Sequence, residues 1–130
     1  MRFLIAVIAM TFLATMPVFA LDATVSGTEL TVTYTEPTTN ADGSPLTDLA
    51  RTNVIWKFLP AGTDTKEANV AATKLTGGGA ITTKLIVPVE AGQERTVEIT
   101  ATATDTSGNE SVRATAVQKR IDRLAPGAPK

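Results

Sequence analysis

The chain has 130 residues, a net charge of −1, no cysteine and no histidine. So even a balance draws neither nucleic acid nor an anionic membrane surface, and no basic cluster exceeds Lys119-Arg120. Without histidine the commonest general base and metal ligand are gone, and without cysteine there is no disulfide and no thiol for lipid attachment, so the fold must rest on packing.

Residues 1–20 have the three parts of a secretory signal peptide. Met1-Arg2 is a short positive start, Phe3 to Met16 is an apolar run, and Pro17 precedes small residues at a cut after Ala20. The run is close to the shortest membrane-spanning helix, about 17 residues, so a retained anchor is the alternative, and only then would the protein meet a membrane. Cleavage would remove Arg2, take the net charge to −2 and place a single domain in the periplasm or outside a bacterial cell.

The remaining chain reads as strands and turns. Asp22 to Ser26 is a short strand ended by Gly27. In Glu29 to Thr35, Leu30, Val32 and Tyr34 alternate with Thr31, Thr33 and Thr35, a period of two that puts the β-branched threonines on one exposed face. Glu36-Pro37 closes that strand, because proline donates no ladder hydrogen bond. Residues 38–50 form a long connection rich in Asn, Asp, Gly and Pro, with Leu46 and Leu49 as inward anchors.

Thr52 to Leu59 predicts a strand with Val54, Trp56 and Phe58 on one face and Asn53, Ile55 and Lys57 on the other. Pro60-Ala61-Gly62 turns the chain. Glu67 to Leu75 reads as a short edge strand, Gly77-Gly78-Gly79 as a flexible turn, and Ala80 to Val89 as a strand whose Pro88 marks an edge. From Arg95 onward the pattern is clearest: Val97, Ile99, Ala101 and Ala103 face a core while Glu98, Thr100, Thr102 and Thr104 face water. Asp105 to Asn109 turns the chain into a second arm from Ser111 to about Ile121. Residues 123–130, rich in proline and alanine, read as a tail or linker.

Little in this pattern carries chemistry. Asp105, Asn109 and Glu110 form a compact acidic turn with the oxygens to hold calcium, but the same residues suit a tight turn in which Asp105 accepts backbone amides and Asn109 adopts a left-handed conformation. Ser26, Ser44, Ser107 and Ser111 have no histidine to activate them. Gly77-Gly78-Gly79 lacks the Lys-Ser/Thr and the helix of a phosphate loop. Trp56 suits the core between two sheets better than a sugar platform.

Three stretches carry a family resemblance. Leu30-Thr-Val32-Thr-Tyr34-Thr-Glu-Pro37 resembles the second strand of a fibronectin type III domain, Asn53-Val54-Ile55-Trp56 its third strand, and Ala103 to Ser111 the turn between its last two. The resemblance spans residues 22–122 and implies a seven-stranded antiparallel β-sandwich of immunoglobulin-like fold, all-β, occupying residues 21–122 behind the signal-peptide helix. Tyr34 stands where the family usually has tryptophan, and Val97 where it has a tyrosine that closes a corner.

The function expected is that of an exported, non-catalytic binding or adhesion module without cofactor or metal, contacting protein or glycan. Its contact loops are residues 37–50, 60–66, 76–79 and 105–110, with Asp42, Leu46, Thr106 and Asn109 as candidate contacts. The alternative is a structural subunit that self-associates or joins an envelope assembly through edge strands.

Overall fold

In the computed structural model, residues 21–130 are described; the signal peptide expected over residues 1–20 lies outside the described residues. The period-two segments form β1 (Leu21–Ser26), β2 (Glu29–Thr35), β3 (Leu49–Phe58), β4 (Thr65–Ala71), β5 (Ala80–Ile86), β6 (Glu94–Asp105) and β7 (Val117–Asp122), with no helix among the described residues. Two sheets result, β1-β2-β5 and β4-β3-β6-β7, antiparallel throughout. This is an all-β antiparallel two-sheet arrangement, consistent with the immunoglobulin-like sandwich expected.

Alternation explains what fills it. Leu30, Val32 and Tyr34 of β2 and Ile81 and Leu85 of β5 meet Val54 and Trp56 of β3 and Val97 and Ile99 of β6 in one apolar layer, closed at one end by Val87, Val89 and Ile121. Full burial of each such side chain contributes about 1.5–3 kcal/mol. Trp56 is 7% exposed and meets the Phe58 ring edge-on at 5.2 Å, with the Arg95 guanidinium 4.0 Å from the centre of that ring. The core is not wholly apolar. The Tyr34 hydroxyl lies 2.7 Å from the Thr52 Oγ1, a hydrogen bond that joins the two sheets, and burial pushes the Tyr34 phenol above its ordinary pKa.

The outer face of the three-stranded sheet follows the expected pattern, with Thr33 and Thr35 exposed. That of the four-stranded sheet does not. Thr100, Thr102 and Thr104, expected to be wet, are 4%, 2% and 3% exposed, and Asn53 and Ile55 beside them on β3 are buried too. The cause is the chain after β6. Instead of a second arm from Ser111, the regular strand β7 begins at Val117, and residues 110–116 run irregularly along β6 and over this face. Ser111 N–H donates to Ala103 O and Ala114 N–H to Ala101 O, so three residues of the arm span two of β6 and the ladder cannot stay in register. The other segments shift only at their ends, β3 beginning at Leu49 and β4 covering Thr65–Ala71 at a sheet edge.

Candidate functional site

Antiparallel strands reverse direction at each step, so alternate connections gather at one end. Residues 36–48, 72–79 and 106–116 come together there, while 59–64 lies at the opposite end. Of the four loops expected to make contacts, 60–66 therefore starts from the opposite end, and it meets the others only where Asp64 and Lys66 reach Arg113 and Glu110.

The first connection is a small hairpin. Asn40 N–H donates to Ser44 O and Gly43 N–H to Asn40 O, with Gly43 at φ 87°, a conformation that suits glycine. Asp42 accepts from Ser44 N–H at 2.9 Å and from the Ser44 hydroxyl at 2.6 Å, and these donors hold its carboxyl below the usual carboxylate range. Past the hairpin, Leu46 and Leu49 turn inward onto Ala103, as their spacing predicts.

The second connection is held by Glu36, which is 2% exposed. Its carboxylate accepts from Thr73 N–H at 2.9 Å, the Thr73 hydroxyl at 2.6 Å and Gly79 N–H at 2.9 Å. The glycine run expected to be a flexible turn is consequently packed. Gly77 is buried at φ 67°, and a Cβ there would collide with the Pro37 carbonyl.

The third connection opens with Asp105, whose Oδ1 accepts from Ser107 N–H and Asn109 N–H at 2.9 Å and whose Oδ2 accepts from the Asn109 side-chain amide at 3.0 Å. The Asn109 donors, side chain first and backbone second, hold the Asp105 carboxyl below its ordinary range. Here the tight-turn reading holds, with one change. The left-handed residue is Gly108 at φ 90°, not Asn109, since no described residue other than glycine has a positive φ. Thr106 N–H donates to Asp48 O, joining this loop to the first.

Beyond the turn, Glu110 is gripped from two sides. The Thr102 hydroxyl donates to it, and Lys66 Nζ lies 3.0 and 3.1 Å from its two oxygens, so its carboxyl is also held low. Arg113 pairs with Asp64 at 2.8 Å.

Between the first and third connections lies a cleft of about 600 Å³. Leu46, Leu49 and Ala103 form its floor, Pro37, Thr39, Asn40 and Ala41 one wall, and Asp105 with residues 109–115 the other. Of the four candidate contacts, Leu46 lies in the floor and Asn109 in the wall, whereas Asp42 and Thr106 sit outside the lining, Asp42 held within its own turn and Thr106 bonded to Asp48. Sequence reasoning missed Glu36, read only as a strand stop, and residues 111–115, read as ladder.

The Ser111 hydroxyl accepts from Ala103 N–H and donates to Val112 O, so it serves the backbone. Among the described residues no group of three or more Asp, Glu, His or Cys side chains could hold a metal ion.

No protein-family model matches the chain, and no curated protein does. A solved structure, the "Twitchin kinase region from C.elegans (Fn31-NL-kin-CRD-Ig26)", is similar at a TM-score of 0.48 and 15% identity, over 72% of this chain and 14% of that one. The assignment of architecture rests on the two sheets themselves.

Proposed function

We propose that this chain is a non-catalytic binding or adhesion module of fibronectin type III kind, exported to the periplasm or beyond the cell, that contacts protein or glycan with the loops at its cleft end. The three-and-four division of the strands, in the orders β1-β2-β5 and β4-β3-β6-β7, supports the fibronectin type III assignment. The observation that carries the functional reading is the cleft of about 600 Å³, which has an apolar floor and walls set by internal hydrogen bonds. Loops already held in place lose little freedom on binding, which favours recognition. Asp105, Glu110 and Ser111, the groups nearest to a catalytic constellation, are engaged in holding the loops. One copy would bind weakly, with strength coming from repetition.

The test is capture of cell-envelope components by the full chain and by Ala41→Trp, which fills the cleft from its rim. Components held by the first and lost by the second are expected; equal capture by both would remove the cleft from the reading.

A second reading, assembly through strand addition, is favoured by the four edge strands β1, β5, β4 and β7 and by Ile86, 58% exposed on edge strand β5. Size-exclusion chromatography separates the two readings. Higher-order species abolished by Ile86→Lys would support assembly, and a monomer at all concentrations would reject it.

A further inference from the structure

We infer that the cleft recognises a peptide segment of a protein partner, an aliphatic side chain flanked by lysine or arginine, in preference to a glycan. This rests on the cleft being the binding site proposed above and narrows it to one chemistry.

Sugar rings are held largely by stacking their C–H faces on aromatic side chains, and none of the lining residues is aromatic. The described aromatic residues lie elsewhere: Tyr34 and Trp56 are in the core, and the Phe58 ring is covered by Arg95. What the cleft does offer is aliphatic. Leu46 and Leu49 floor it, and Val112, 89% exposed, stands on its wall. An apolar floor beside an exposed valine fits a branched aliphatic side chain entering from outside, because such a side chain would cover both.

Charge supplies the second half of the argument. Glu110 is balanced by Lys66 and Arg113 by Asp64, which leaves Asp105 as the uncompensated charge in the lining. Asp42 and Asp48, on the connection that forms the opposite wall, add to it. The hydrogen bonds that hold Asp42 and Asp105 low keep both ionised in mildly acidic surroundings. Asp105 lies beside the aliphatic floor, and with Asp42 and Asp48 on the facing connection it outweighs the cation Arg51 opposite Thr104. This acidic balance complements a basic residue next to an aliphatic one and steers such a segment inward.

A random-sequence peptide library and a panel of neutral and acidic oligosaccharides, each presented to the full chain, test this. Enriched peptides should carry Leu, Ile or Val beside Lys or Arg. Made as fluorescent probes, they should bind about tenfold more weakly to Ala41→Trp and weaken as salt rises from about 0.05 to 0.5 M. Val112→Ser, at a residue too exposed to unfold the domain, should weaken them as well. Peptides without that pattern, or indifferent to salt or to both variants, would overturn the inference. Oligosaccharides held by the chain and lost in Ala41→Trp would overturn it while leaving the proposed binding function intact. Failure of both collections to bind would overturn the two together.

Discussion

Over their central residues strands β3 and β6 are buried on both faces, and the two layers they separate are built from opposite materials. On the inner side Val54, Trp56, Val97 and Ile99 meet the other sheet as close-packed hydrocarbon. On the outer side Asn53, Thr100, Thr102 and Thr104 lie with Ile55 under the Glu110–Ala114 segment, joined by hydrogen bonds. Apart from the Tyr34–Thr52 hydrogen bond, the first layer is tolerant of partners, since an aliphatic of similar volume replaces another at small cost. The second works only if every group finds its mate, because an orphaned buried donor or acceptor costs more than a made bond returns. It meets that condition: among the described residues no buried side-chain nitrogen or oxygen lacks a partner. Area holds the sheets together, while matched polar groups fix where the cleft wall lies.

The contrast breaks most sharply at Trp56. Trp56→Ala should cost about 3–5 kcal/mol in urea or guanidinium unfolding, as large aromatic truncations in a core do; a loss below about 0.5 kcal/mol, the range of surface changes, would mean the inner layer does not close on this ring. Next comes the polar layer. The Asn53 amide donates to Thr102 and Thr104 Oγ1, both at 3.0 Å, so Asn53→Ala should cost about 1–3 kcal/mol by leaving buried hydroxyls short of partners. A neutral result would mean that water reaches this face.

Glu110→Gln probes the clasp itself. The side chain is 36% exposed, so the solvent-screened pair with Lys66 contributes under about 1 kcal/mol. The sharper readout is local, as faster amide exchange at Ser111 and Ala114 with β2 unchanged. The smallest effect is at Asp105. Its folded pKa is lowered, so the stability it adds is complete above the ordinary carboxylate value and is lost as pH falls through the lower folded value. The difference in melting temperature between the wild type and Asp105→Asn should be constant near neutrality and close below about pH 4. A gap that widens on acidification would contradict the hydrogen-bonded carboxylate.

The same contrast decides what could be read in advance. Leu30, Val32 and Tyr34 against Thr31, Thr33 and Thr35 announce β2 because one face is apolar, and Leu46 and Leu49 stand out as aliphatics in a polar connection. The polar layer was illegible for a physical reason. Threonine at every second position looks the same beneath water as beneath another chain segment, and what roofs Thr102 is Glu110, brought back by a turn. The bulged arm was hidden likewise, since alternation from Ser111 to Val117 gives no sign that three residues will span two. Asp42 and Thr106 lie on turns outside the lining, and the wall residues at 111–115 become visible only once the arm leaves the ladder.

Glu36 has a consequence for how this end of the molecule can change. One acidic side chain reaches both Thr73 and Gly79, so the intervening stretch must keep its residue count for both grips to survive. The hairpin tip at Asn40–Ser44 carries no such double tether, because its bonds close on themselves and on Pro45 next to it. Insertions and deletions should thus be accepted at residues 41–43 and refused at 74–78. One side of the cleft is open to remodelling, and its buttress is closed.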